Sequence, residues 1–133
     1  MEKLDPKIIV GKIVKLGPHP NADKLQIVRV DIGQKEPLNI ICGAGNIKEG
    51  QIIPVVLPGG MVKTPGGGEF LVGEVAIRGI KSTGMLCSPL ELGINDNHEE
   101  ILILPAKTAK YLGRPLREVG FLKPKKYSND SNH

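Results

Sequence analysis

Apolar residues in this chain come in short runs rich in β-branched side chains, and glycine and proline separate one run from the next. That pattern predicts strands joined by tight turns and leaves little room for long helices. Residues 7–16 read as a first strand, in which Ile8, Ile9, Val10, Ile13 and Val14 suit a pleated surface. Gly11 interrupts it, and a glycine inside a strand marks a bulge or a sharp bend of the kind a small barrel needs to close. A turn over residues 19–23 leads into a second strand at 25–32, and a third follows at 38–42. Residues 51–57 form a fourth apolar run, whose internal Pro54 predicts an edge or bulged position. The Pro65-Gly66-Gly67-Gly68 turn joins residues 61–63 to a run from 69 through 80, and residues 101–104 predict the last strand.

Helix is confined to single turns. Ser88-Pro89-Leu90-Glu91-Leu92-Gly93 has Ser88 as a cap, Pro89 at the first position and Gly93 as a stop, and a second turn starts near Arg114-Pro115-Leu116-Arg117. At 133 residues the chain fits one domain able to bury a proper core. We take residues 1–121 as that domain and residues 122–133 as a basic tail without apolar pattern, expected to be disordered. The fold class is therefore all-β, and the pattern alone does not choose between a barrel and a sandwich.

Charge adds a partner class without deciding it. The net charge is +4, with four acids and no lysine or arginine in residues 91–104 but seven bases against two acids in residues 105–133. Segregated basic stretches suit a polyanion, although an ordinary solvated surface explains them equally well. The two cysteines, Cys42 and Cys87, sit in apolar or turn segments and read as reduced, buried thiols. No apolar stretch approaches the ~20 residues that cross a bilayer, and the first residues lack the layout of a secretion signal. We expect a soluble, cytoplasmic protein with no membrane contact.

Catalytic and metal chemistry find little support. His19 precedes a proline in a turn, so a thiol–imidazole pair with Cys42 or Cys87 lacks the adjacency that a nucleophile needs. Two isolated cysteines do not supply the clustered ligands of a zinc site. Gly43-Ala44-Gly45-Asn46 lacks the lysine and hydroxyl of a phosphate loop. No catalytic residue, metal or cofactor is expected. Base stacking is also weak as a source of affinity, because the chain has two Phe, two Tyr and no Trp. A nucleic-acid partner would have to be read through its backbone and outline by Lys, Arg, Asn, Ser and main-chain amides.

Two compact signatures sharpen this: His19-Pro20-Asn21-Ala22-Asp23-Lys24-Leu25, and Arg78-Gly79-Ile80-Lys81-Ser82-Thr83-Gly84-Met85-Leu86-Cys87-Ser88. With Ile41-Cys42-Gly43-Ala44-Gly45-Asn46 and Leu57-Pro58-Gly59-Gly60 between them, they resemble the tRNA-binding domain shared by the phenylalanyl-tRNA synthetase beta subunit, stand-alone tRNA-binding proteins and the endothelial monocyte-activating polypeptides. The resemblance implies a five-stranded OB-fold barrel with short helical turns and an appended C-terminal segment. It implies a non-catalytic module that binds folded tRNA, with an aminoacyl-tRNA synthetase as a further partner and a homodimer among the states seen in the family. The version here looks closer to the synthetase beta subunit than to the other two branches, and the chain reads as a separate small protein or an excised module. A protein-interaction or chaperone-like OB module is the alternative, and a small hydrolase is a third.

The candidate nucleic-acid contacts follow from both lines. In the first signature they are Asn21 and Lys24, although Asn21 would equally serve its own turn. Lys12 and Arg29 lie on the first two strands, where an outward cation would meet a phosphate or simply be solvated. In the second signature they are Arg78, Lys81, Ser82, Met85 and Ser88. Arg78 would grip a phosphate with two parallel hydrogen bonds, Lys81 would act as a point charge, and the serines would donate to phosphate or ribose. Met85 is as well suited to core packing as to contact.

Overall fold

The structure is a computed structural model, and it describes residues 4–119; the expected tail lies outside the described residues. Nine strands run in chain order: β1 (Ile8–His19), β2 (Ala22–Asp31), β3 (Leu38–Cys42), β4 (Ile52–Val56), β5 (Met61–Lys63), β6 (Glu69–Leu71), β7 (Glu74–Ile77), β8 (Ile80–Thr83) and β9 (Met85–Leu86). Five of them form one antiparallel sheet in the order β3-β2-β1-β4-β9, while β5–β6 and β7–β8 are separate hairpins inserted between β4 and β9.

β1 organises the sheet because its two halves face different partners. Ile8 to Lys12 pair with β4, and Lys12 to His19 pair with β2. A Cβ on Gly11 would sit 2.8 Å from both the Val30 Cγ1 and the Val55 Cγ2 atoms, so the residue permits tight packing at the crossover. The bulge itself falls at Val14, between the Ile13 and Lys15 pairs, and pushes that side chain out to solvent. The first half of β1 leaves its other edge unclaimed by β2. Residues 113–115 take it: the Gly113 N–H donates to the Val10 carbonyl at 2.8 Å, and the Val10 N–H donates to the Arg114 carbonyl at 3.1 Å.

Period-2 alternation then sends the strand residues into two cores. Ile9, Ile13, Ile53 and Val55 join Val28, Val30, Ile40 and Leu86 inside the curled sheet. Ile8, Val10, Ile52 and Val56 point the other way and meet Val62, Val72, Leu92, Leu104 and Leu116. β4 is buried on both faces, which is why it reads as an unbroken apolar run. Each buried Val, Ile or Leu contributes about 1.5–3 kcal/mol, so the appended segment after Leu90 is integral to stability.

Pro54 departs from the edge position its sequence predicts. It lies between β1 and β9, opposite Val10, and its carbonyl accepts the Cys87 N–H at 3.1 Å. Proline has no N–H to return, and the Cys87 carbonyl instead takes the Leu102 N–H at 3.0 Å. Residues 101–104 likewise form no strand. Asn46 saturates Ile101 from both sides, its Oδ1 accepting the N–H at 3.0 Å and its Nδ2 donating to the carbonyl at 2.9 Å, and only Leu104 bridges to Ile52. The expected run over residues 69–80 divides into β6, β7 and the start of β8. Short 3-10 helices occupy Ala106–Tyr111, which the pattern did not predict, and Leu116–Glu118, directly after Pro115 and so near Arg114-Pro115 as expected.

The domain is OB-like, but no ladder closes its five-stranded sheet into the expected barrel. β3 and β9 approach each other without sharing a ladder. The Ile41 N–H on the free edge of β3 donates to the Ser82 Oγ at 2.9 Å. Gly84 packs so closely that a Cβ there would lie 2.6 Å from the Val56 carbonyl oxygen, and its φ of +107° belongs to glycine's range.

Candidate nucleic-acid interface

The two signatures, far apart in sequence, meet in space through the tips of β1–β2 and β7–β8. His19 is 5% exposed at the first tip. Its Nδ1 accepts the Asn21 N–H at 2.9 Å, so Nε2 must carry the proton, and it donates to the Ile77 carbonyl at 2.9 Å. Both donors and acceptors on the backbone are fixed in kind, and the imidazole is thereby oriented with Nδ1 as acceptor and Nε2–H as donor. Asn21 completes the junction by donating its Nδ2 to the Arg78 carbonyl at 3.1 Å.

That junction grips an unusual turn. Ile77 pairs with Ile80 across the β7–β8 hairpin, leaving Arg78 and Gly79 as a two-residue loop with φ of +51° and +88°. Positive φ at both central residues is the mark of a type I′ turn, which favours asparagine, aspartate or glycine. Arg78 is the only non-glycine residue with positive φ among the described residues. A left-handed L-residue costs about 1–2 kcal/mol, and here an exposed arginine occupies that position. Its guanidinium makes one long contact, 3.5 Å from Nη1 to the Asn21 carbonyl, and otherwise projects to solvent.

Lys81 follows on β8, exposed and paired with the small, exposed Ala76. Lys24 is exposed on β2, just beyond the Asn21 tip. A second group lies along the outer face of the sheet, where cross-strand partners share a side. Lys15, Arg29 and Asn39 form one row across β1, β2 and β3, and Lys12 opposite Asp31 begins the next. Arg29 is half-buried with its Nε enclosed and without a hydrogen-bond partner. Neither ion pair among the described residues, Lys63–Glu69 nor Arg114–Glu118, takes up any of these cations.

The remaining candidates are placed inside the molecule. Ser82 is 2% exposed and its hydroxyl is engaged by the Ile41 N–H and the Gly84 carbonyl. Ser88, also 2% exposed, forms a capping box with Glu91, whose Oε1 accepts from the Ser88 N–H at 2.7 Å and from its Oγ at 3.0 Å. Met85 is half-buried against the second core. Sequence reasoning passed over Lys15, Asn39 and His19 as parts of this surface, because their alignment depends on strand register and hairpin docking. The one signal present was the separation of the two signatures itself, which locates the docking partners without stating the bonds.

Burial raises the Cys42 thiol above its ordinary range and the Cys87 thiol well above it, with Glu91 adding to both. A nucleophilic thiol needs the opposite shift, and the His19 ring nitrogens are both occupied by backbone. No helix among the described residues is long and apolar enough to cross a membrane.

Comparison with known proteins matches this sequence to a family. The sequence profile of the tRNA binding domain covers residues 8–111, which includes both docked signatures and the whole sheet. The chain belongs to the tRNA binding domain family. It is 43% identical over 112 residues to the phenylalanine-tRNA ligase beta subunit of Chlorobaculum tepidum, covering 84% of this chain and 14% of that protein. It is 44% identical over 110 residues to the Helicobacter hepaticus beta subunit, covering 83% and 14%. The chain therefore spans about one seventh of the length of these relatives. Among solved structures, a MetRS related protein from Pyrococcus horikoshii has a TM-score of 0.55 at 20% identity, covering 86% of this chain and 90% of that one. The C-terminal domain of Plasmodium vivax p43 has a TM-score of 0.51 at 24% identity, covering 77% and 53%. These last two likenesses concern the fold. Within the tRNA binding domain, the first signature builds the socket and the second supplies the turn that sits in it.

Proposed function

We propose that this tRNA binding domain recognises folded tRNA through its phosphate backbone, using Arg78, Lys81 and Lys24 at the docked tips, where Asn21 holds the Arg78 carbonyl, and Lys12, Lys15 and Arg29 on the adjoining sheet face. The observation that carries this reading is Arg78. An exposed cation held in a left-handed conformation that glycine would adopt without strain is retained for what its side chain reaches. Ser82, Ser88 and Met85 support the surface from within. The domain itself performs no catalysis. Its place is in translation in the cytoplasm, in association with an aminoacyl-tRNA synthetase or within one, and residues 1–121 act as the folding unit.

Competition between folded tRNA and unstructured RNA of equal length, at two salt concentrations, tests the reading. The domain prefers tRNA, and its affinity falls steeply with salt because each neutralised phosphate releases counterions. Equal binding of both RNAs, or salt-independent binding, overturns it. One feature favours the second reading, a protein-interaction module: the β5–β6 hairpin exposes Met61, Phe70 and Leu71, the last two at 52% and 61%. A stable protein partner that survives nuclease treatment and high salt, with no tRNA affinity, would establish that reading instead.

A further inference from the structure

The β7–β8 hairpin stands outside both cores, with Ile77 and Ile80 only half-buried, and polar contacts tie it to the domain. None of residues 74–83 belongs to either core cluster, and glycines 73 and 84 bound the segment. Glu74, Ala76 and Lys81 are exposed, and even Val75, on the face that carries Ser82, is half in solvent. What holds the hairpin down is Ser82 on the Ile41 N–H near its base, and His19 and Asn21 on the Ile77 and Arg78 carbonyls at its tip. A segment with few buried apolar contacts opens at low free energy, independently of the core.

We propose that His19 and Asn21 are positioning residues, a hydrogen-bonded latch that keeps Arg78 and Lys81 in their RNA-facing arrangement and so sets the fraction of molecules competent to bind tRNA. The proposal rests on the tRNA reading above and adds a mechanism to it. Apparent affinity scales with the docked fraction. The histidine does two separable jobs: Nδ1 shapes its own tip by accepting from Asn21, and Nε2–H crosses to the other hairpin. An asparagine side chain reproduces the first, since its Oδ1 can accept from the N–H two residues on, but it is too short for the second.

The test is a double-mutant cycle in the full chain, titrated with folded tRNA at low salt. His19→Asn and Asn21→Ala each weaken binding measurably, by up to about fivefold, the limit set by the loss of one neutral hydrogen bond. In an Arg78→Ala/Lys81→Ala background the same changes have less than about a twofold further effect, because the side chains they position are gone. Amide exchange in residues 74–83 speeds up in both variants while β1 and β4 keep their protection, and Asn21→Ala, at an exposed side chain, carries the test if His19→Asn fails to fold. Additive effects in the cycle, or unchanged exchange in the hairpin, overturn the latch alone. Absence of wild-type tRNA binding overturns the tRNA reading, and the latch with it.

Discussion

Replacing Arg78 by glycine separates what this residue does for the fold from what it does for a ligand. In the fold it is strained: φ is +51°, and the side chain returns only a contact at the 3.5 Å limit. Glycine removes about 1–2 kcal/mol of left-handed strain and gives back roughly 0.5–1 kcal/mol through the greater freedom of the unfolded chain. The Asn21 bond to the residue 78 carbonyl is a backbone contact and survives. The net expectation is a protein as stable as the wild type or up to about 1.5 kcal/mol more stable, measured by urea denaturation. Binding moves the other way. A charge-assisted hydrogen-bond pair to phosphate is worth about 1.5–3 kcal/mol, which is roughly a 10- to 150-fold weaker tRNA complex, and the slope of log affinity against log salt falls by about 0.7–0.9. Fluorescence anisotropy with labelled tRNA reads both. A variant destabilised by more than about 1 kcal/mol with unaltered tRNA affinity would show that Arg78 is a structural residue, and the argument from strain would fail.

Other substitutions test the supporting structure. Ser82→Ala leaves the buried Ile41 N–H without a partner and lowers stability by about 1–3 kcal/mol; urea midpoints check this, with tRNA affinity compared at temperatures where the protein is folded. Gly84→Ala places a Cβ 2.6 Å from the Val56 carbonyl oxygen at a φ of +107°, and calorimetry should find a loss of more than about 2 kcal/mol. Leu116→Ala, at a fully buried position in the appended segment, costs about 2–5 kcal/mol, whereas a segment merely laid on the surface would lose little. Burial raises both thiols in the folded state, so the unfolded chain releases those protons at lower pH than the native one. Stability is then insensitive to the thiols below the ordinary cysteine range and declines as pH rises through it. A Cys42→Ser/Cys87→Ala pair flattens that decline, measured by denaturation at increasing alkaline pH.

The strands of the sheet were legible wherever burial imposes a period. β3 and β5 fall at the expected limits, and β4 differs by one residue at each end, because apolar runs bounded by turn residues leave little choice. Residues 101–104 have the same composition yet form no strand, since Asn46 occupies the hydrogen-bonding groups of Ile101 that a ladder would need. Pro54 is equally instructive: its missing N–H is harmless in an interior strand because Leu102 serves the carbonyl left over. At the candidate surface, exposure separated the residues that composition had grouped. Arg78, Lys81, Lys24 and Lys12 stand in solvent, while Ser82 and Ser88 are small enough to be drawn inside, where their hydroxyls accept the Ile41 and Glu91 N–H groups. Lys15 and Asn39 came into view only through register, which a bulge at Val14 shifts by one residue.

The most direct measurement of where tRNA sits is an amide and side-chain chemical-shift map of the labelled protein during titration with folded tRNA at low salt. The account predicts changes concentrated at residues 19–24 and 76–81, extending to Lys12, Lys15 and Arg29, with the Arg78 guanidinium resonances among the most shifted. Shifts confined to the β5–β6 hairpin or to residues 91–104, with the two docked tips unmoved, would contradict it.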